Sequence, residues 1–365
     1  MAVLDAAGGV IIPHTIAGGA TRATFNPQEH LMRVLVIGGT GLISTAIVNR
    51  LLKSGHEPIL FNRGESLSRL HKSVPTVQGD REDFEGFARA MDGVEVDAVI
   101  DMLTYDRPTA EHAVSVFQGR VSHYLFCSTV CVYGGPLTTI PALEEEARTP
   151  VSSYGQKKVD AEDAFMAAFT QDSFPVTMFR PSHCYGPGQP LLDIWGYDAS
   201  LVTRLREGKP IIVAGDGHGL WQPGHVNDMA KGFVGALGRP AVVGRAYNIV
   251  GDEIMTWRRF HERMAEAIGV EANIVTMTTE QITVGTPGGK AEWLKENFQY
   301  HAAYSNAALK ADVPEFRDLM AWEDGVRDVV RWMDENDLHE PADAKPWVDV
   351  LSAKARVFVE GLARG

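Results

Sequence analysis

The sequence predicts an α/β protein, a doubly wound parallel sheet with a smaller C-terminal substrate lobe. Strand-like apolar runs alternate with amphipathic helical stretches from residue 32 onward, the pattern of βαβ units whose parallel strands are covered on both faces. A glycine-rich turn directly follows the first run, and after residue 182 the alternation gives way to turn-rich segments.

Residues 1–31 are rich in Gly, Ala and Thr without sustained periodicity, and read as an N-terminal arm, a tail outside the folded unit. Met32 opens an abrupt apolar run, Arg33-Val34-Leu35-Val36-Ile37. Strands are expected at 33–37, 57–61, 97–102, 122–127, 175–180 and 245–249, with helices at 45–54, 83–91, 109–117 and 152–169 between them. Right-handed crossovers stack such strands into one sheet with its ligand crevice at their carboxyl ends. This core is expected to comprise 32–182 and 226–252. The turns Gly186-Pro187-Gly188, Gly215-Asp216-Gly217 and Pro287-Gly288-Gly289 mark a substrate lobe at 183–225 and 253–335. In the helical tail expected at 336–365, Trp347, Val350, Leu351, Val357, Phe358 and Leu362 recur at roughly helical spacing and are expected to cover core or a subunit contact.

Composition excludes several function classes. With 47 acidic and 34 basic side chains the net charge is −13, so no basic footprint for nucleic acid is expected. Three cysteines, Cys127, Cys131 and Cys184, are too few for a disulfide framework or a zinc site, and His183, His218 and His225 lack the spacing of metal ligands, so no metal is expected. No apolar run reaches the roughly 20 residues of a membrane span, and no basic residue precedes Arg22, which points to a cytoplasmic protein.

The turn after the first strand reads Gly38-Gly39-Thr40-Gly41-Leu42-Ile43-Ser44 and leads into a helix. Glycines at 38 and 41 permit a tight turn and let backbone amides approach a pyrophosphate at the positive helix end, which defines a dinucleotide-binding (Rossmann) core. Ser44 fills the third glycine position, where close packing tolerates a small residue. About 20 residues on, where NAD-specific sites carry a carboxylate for the ribose, stand Asn62 and Arg63. A guanidinium there suits the 2′-phosphate, so NADP(H) is the expected cofactor and NAD(H) the alternative. Asp80, in Gly79-Asp80-Arg81, is placed either to meet the adenine edge or to cap its turn.

Tyr154 and Lys158 are four residues apart and share one face of the fourth expected helix. A phenol titrates near pH 10 and needs a nearby cation to act as acid or base near neutrality, and Lys158 supplies one. Thr129, 25 residues before Tyr154 at a strand end, can hold a reacting oxygen against the tyrosine.

Together these segments resemble the extended short-chain dehydrogenase/reductase family, also called the NAD-dependent epimerase/dehydratase family. The likeness runs from about Met32 to Trp332 and includes the glycine turn, Thr129 with Tyr133-Gly134, Tyr154 with Lys158, Arg180-Pro181 followed by Tyr185-Gly186-Pro187-Gly188, and His225-Val226-Asn227-Asp228. The resemblance implies hydride transfer at a carbon bearing oxygen, with Tyr154 as acid/base, Thr129 orienting the substrate oxygen, and Lys158 holding the nicotinamide ribose and lowering the tyrosine pKa. It implies cofactor contacts from Gly38, Thr40, Gly41, Leu42, Ile43, Asn62, Arg63, Asp80, Arg81, Leu103, Lys158 and Pro181, and a homodimer built on the helices near 109–117 and 152–169.

Departures from the family pattern narrow the reaction. Sugar-nucleotide dehydratases of the family carry Asp-Glu directly after the threonine, where this chain has Val130-Cys131, so ketone/alcohol redox or epimerisation is expected rather than dehydration. Members acting on nucleotide sugars place an arginine where Trp221 stands and an asparagine where His183 stands. An indole and an imidazole suit a small, flat or partly apolar carbonyl or alcohol substrate, not a nucleotide-diphosphate sugar. The expected function is thus an NAD(P)-dependent oxidoreductase, with a sugar epimerase retaining its cofactor, or a non-catalytic nucleotide- or RNA-binding relative, as alternatives.

Overall fold

The computed structural model describes residues 31–65 and 74–364; the expected arm at 1–31 falls, but for Leu31, outside them. The first half runs β1 (Arg33–Ile37), α1 (Leu42–Lys53), β2 (Glu57–Asn62), β3 (Thr76–Gln78), α2 (Phe84–Met91), β4 (Ala98–Asp101), α3 (Arg107–Phe117), β5 (His123–Cys127), α4 (Ser153–Asp172) and β6 (Val176–Pro181). The alternation of runs and helices places all these strands, with a later β13 (Ala246–Ile249), in one parallel sheet of order β13-β6-β5-β4-β1-β2-β3. Strand order reverses beside β1, where β4 pairs on one side and β2 on the other, and that is where an open α/β sheet leaves its crevice.

Side chains of β1 divide between two buried layers, as the period of two requires. Val34 and Val36 meet Ile47 and Leu51 of α1 and Phe233 of a later helix, whereas Leu35 and Ile37 meet Phe87, Ala110 and Ala113 of α2 and α3. Each fully buried side chain of this kind is worth about 1.5–3 kcal/mol, which outweighs local propensity and fixes this apolar run at the sheet's centre. Side-chain caps set the helix starts: Asp83 accepts from Gly86 N, Asp106 from Thr109 N and Ser152 from Gly155 N.

The second half contains short strands β7 (Cys184–Tyr185), β8 (Leu192–Asp193) and β9 (Gly196–Tyr197), then α5 (Leu201–Arg206), β10 (Pro210–Ala214), β11 (Leu220–Trp221) and β12 (Gly224–His225). After α6 (Val226–Ala236) and β13 come β14 (Met255–Thr256), α7 (Trp257–Ala267), β15 (Asn273–Met277), α8 (Thr279–Gly285), α9 (Ala307–Asp312), α10 (Trp322–Glu335) and α11 (Pro346–Arg364). A second apolar core gathers Trp257, Phe260 and Trp322 with the parallel pair β10/β15. One expectation needs correction. The α9 stretch, assigned to the substrate lobe, packs on β13, and Leu309, Val313 and Phe316 join the sheet's own core beside Phe233 of α6 and Ile249 of β13. In α11 only the first turns are core: Val348 and Leu351 are buried against the β10/β15 layer, whereas Val350, Val357, Phe358 and Leu362 are exposed.

Candidate active site

A cleft of about 680 Å³ opens at the carboxyl ends of β1 and β2, lined by Gly38, Thr40, Gly41, Asn62, Arg63, Asp80, Arg81 and Leu103. Gly38 has φ +83°, and a Cβ there would stand 2.6 Å from Leu103 Cγ, so both conformation and space require glycine. Ser44 donates to Gly38 O at 2.7 Å and accepts from Gly41 N at 2.8 Å, so the residue in the third glycine position ties the turn to the helix. The amides of Leu42 and Ile43, in the first turn of α1, have no intrahelical acceptor and form the positive end of the helix.

Asn62 accepts from Gly64 N through Oδ1 at 2.8 Å, leaving its buried Nδ2 without a partner at the cleft wall. Arg63 is largely exposed and lies 3.3 Å from Glu65, which lines the same cleft. Asp80 caps its turn by accepting from Glu82 N. Arg81 is buried: it donates to Thr109 O at 2.9 Å, pairs with His112 Nδ1 at 3.2 Å and lies 4.2 Å over the Phe87 ring. Its side chain is thus mostly committed to joining the β3 end to α3, a role the sequence pattern did not reveal. A glycine that tolerates no Cβ, free helix-end amides and an orphaned amide donor fit the pyrophosphate and ribose of a dinucleotide.

Tyr105 lines this cleft and a neighbouring cavity of about 580 Å³, to which Ile43, Thr129, Tyr154, Lys158, Pro181, His183 and Trp221 all contribute. Thr129 ends the β5 segment and accepts from Cys131 N at 3.2 Å. Lys158 is buried and donates to Thr104 O at 2.8 Å and Cys127 O at 2.7 Å, tying together the ends of β4 and β5. Desolvation lowers its pKa. Tyr154 is 42% exposed, yet its phenol pKa is raised, first by desolvation between the cavity walls and then by the Cys127, Cys131 and Tyr105 side chains; Thr129 pulls it back only in part.

Residues 129–180 are braced beneath the site. Arg180 donates to both oxygens of the buried Glu162, at 2.9 and 2.7 Å, and to Tyr133 Oη at 2.8 Å, while Tyr133 donates to Asn248. This joins α4 to β6 and β13. The β8–β9 hairpin, which supplies Leu192 and Tyr197 to the cavity, is held by Lys345, 2.9 Å from each of Asp193 and Asp198. Burial and the adjacent Asp198 push Asp193 up to about 8.

On the substrate side, Trp221 stacks on Trp257 at 4.6 Å and approaches His183 Nδ1 through Nε1 at 3.4 Å. Burial lowers the His183 pKa to about 3, so the imidazole is neutral, and its Nε2 has no partner. The arginines nearest in sequence to this lobe are engaged elsewhere: Arg204 with Ala342 O, Pro210 O and Asp349, and Arg258 beside Glu262. Sequence reasoning missed Tyr105, Trp293, Glu296, Asn297 and Tyr300, all of which line the cavity. The last four lie in or beside a π-helical turn, Leu294–Phe298, whose aromatic and polar residues have no simple periodicity to betray them.

The family model described as "NAD dependent epimerase/dehydratase family" matches residues 34–250, and the chain belongs to that family of NAD(P)-dependent enzymes. Among curated relatives, the chain is 26% identical over 292 residues to a 2′-dehydrokanamycin reductase of Streptomyces kanamyceticus, covering 80% of this chain and 82% of that one. It is also 26% identical over 267 residues to the chloroplast stem-loop binding protein of 41 kDa b of Arabidopsis thaliana, covering 69% and 68%. A solved dTDP-glucose 4,6-dehydratase of Bacillus anthracis in complex with NAD superimposes with a TM-score of 0.68 at 22% identity, over 84% of this chain and 97% of that one, a likeness of fold. Among the described residues no helix is long and apolar enough to cross a membrane, and no group of three or more His, Cys, Asp or Glu is arranged to hold a metal.

Proposed function

We propose that this chain is an NADP(H)-preferring reductase of a small ketone that is not a nucleotide sugar. The observation that carries the reading is the convergence of Thr129, Tyr154 and Lys158 on one cavity beside the dinucleotide cleft, where the phenol can donate a proton to an oxygen gaining negative charge. Oxidation of an alcohol, the first step of an epimerase, would need the phenolate instead.

The cofactor, when bound, supplies the hydride. Thr129 holds the carbonyl oxygen beside Tyr154, whose Oη gives up its proton to that oxygen. Lys158 would hold the nicotinamide ribose, and its bonds to Thr104 O and Cys127 O tie the ends of β4 and β5 together. Gly38, Thr40, Gly41, Leu42 and Ile43 would take the pyrophosphate, Asn62 and Arg63 the adenosine ribose and its 2′-phosphate, Leu103 and Pro181 the walls beside the reacting ring, and Asp80 and Arg81 the adenine end.

Against a nucleotide-sugar substrate stand the indole of Trp221, the neutral His183 and the lack of any arginine among the cavity-lining residues. The reductase activity in the name of the Streptomyces kanamyceticus relative agrees with the direction. A homodimer through α3 and α4 belongs to the same reading. Assaying the purified chain with NADPH against a panel of small keto-sugars and ketones, beside UDP- and dTDP-sugars, tests it. Turnover confined to the nucleotide sugars would overturn it.

A further inference from the structure

We propose that the end of the cavity formed by Trp293, Glu296 and Tyr300 is a subsite for a protonated amine on the substrate, so that the enzyme acts on amine-bearing polyols; this rests on the reductase reading. The argument begins with charge. Of the residues lining the cavity, only Lys158 and Glu296 carry full charges, with two histidines beside them. Lys158 is engaged by two main-chain carbonyls. His183 is neutral, and His301 accepts from Leu220 N through Nδ1. Glu296 is half-buried on the π-helical turn and has no hydrogen-bond or ion-pair partner among the described residues.

A carboxylate that lines a cavity without a partner offers a charge-assisted contact to a cationic ligand group. Its neighbour Asn297 accepts from Cys131 Sγ at 3.4 Å, which holds the turn against the reacting end of the cavity that Glu296 lines. Trp293 beside it is 45% exposed and stands edge-on to Tyr197 at 5.9 Å, offering aromatic surface to an ammonium. Lining the same cavity, His183 Nε2 is a buried donor without an acceptor, which a hydroxyl or ether oxygen would supply. The cavity therefore offers a carboxylate to a cation and a ring N–H to a neutral oxygen, in a space of about 580 Å³ sized for two linked rings. A phosphate would meet Glu296 with like charge.

Calorimetric titration of the NADPH-loaded full chain with neamine, a two-ring aminocyclitol glycoside, and with its fully N-acetylated form tests this directly. Neamine is expected to bind at least about tenfold more tightly, one charge-assisted contact's worth, and Glu296→Gln to reduce the ratio below about threefold. If Glu296→Gln does not fold, the wild-type ratio still decides, since it must shrink as salt rises from about 50 mM to 500 mM. Equal affinities, failure of both to bind, a salt-independent ratio or a Glu296→Gln variant that keeps the preference would each overturn the subsite. Binding heat is independent of turnover: a chain that reduces ketones but binds both forms alike loses only the subsite, whereas one that reduces no ketone loses the reductase reading.

Discussion

Lys158 stands one helical turn beyond Tyr154, with its Nζ 5.9 Å from the centre of the phenol ring, but the ammonium turns to the carbonyl oxygens of Thr104 and Cys127. The two residues are therefore neighbours without a direct bond, and in the proposed reaction the phenol is the proton donor. Replacing Tyr154 by Phe removes only that proton. Turnover is expected to fall by about 10²- to 10⁴-fold, with NADPH affinity by fluorescence titration within about twofold of wild type. A variant keeping a tenth of the activity would refute the assignment.

The pH dependence follows from the same group. Reduction needs the protonated phenol, and burial raises its pKa above the ordinary value of 10. The acid form is thus complete across the neutral range and is lost only when pH rises through the shifted pKa. Reductive kcat/KM is expected to show no falling limb assignable to Tyr154 between about pH 6 and 9. A fall centred near pH 7 that disappears in Tyr154→Phe would contradict this.

In the proposed reading cofactor choice turns on Arg63 and Glu65, which lie 3.3 Å apart on the wall of the cleft. Arg63→Ala should weaken NADPH by about tenfold while leaving NADH unchanged, and Glu65→Gln should strengthen NADPH by removing a like charge from beside the phosphate. Parallel titrations of the two reduced cofactors read both effects. Unchanged selectivity in Arg63→Ala would mean that the guanidinium is only a surface partner for Glu65.

Beneath the site, burial pushes the Glu162 carboxyl up, but hydrogen bonds from Arg180 and Ser128 and the charges of Arg180 and Arg148 more than reverse this, so its pKa is lowered. Its stabilisation is present above the unfolded-state carboxylate pKa and is lost as pH falls through the lower, folded value. Glu162→Leu leaves the buried guanidinium uncompensated and should cost about 3–5 kcal/mol in urea unfolding at pH 7, with a flatter loss of stability on the acid side than wild type. A change under about 1 kcal/mol would show that water replaces the carboxylate easily.

The sheet was legible because its central strands are continuous apolar runs that burial on both faces demands: 33–37 and 57–61 are found within a residue of their expected ends. The three-residue edge strand β3, Thr76–Gln78, was missed, since none of its residues is fully buried and no hydrophobic run marks it. Gly38, Thr129, Tyr154 and Lys158 were singled out by order and spacing; the last three line one cavity and Gly38 lines the neighbouring cleft. What spacing cannot supply is a partner. That Lys158 is held by carbonyls, that Arg81 is locked on His112 and Thr109, and that Glu296 reaches the cavity from far along the chain are tertiary facts without local periodicity.

Lys345 gives the far end of the chain an architectural duty. Because it bridges Asp193 and Asp198, and Val348 and Leu351 then dock behind β10 and β15, the C-terminal helix serves as a retaining wall for the hairpin that carries Leu192 and Tyr197. Trimming the chain ahead of Lys345 would leave two carboxylates face to face in a buried site, and the pocket's shape would loosen with them. A fusion tag is better attached beyond the exposed Phe358 and Leu362, where the helix has already finished its work.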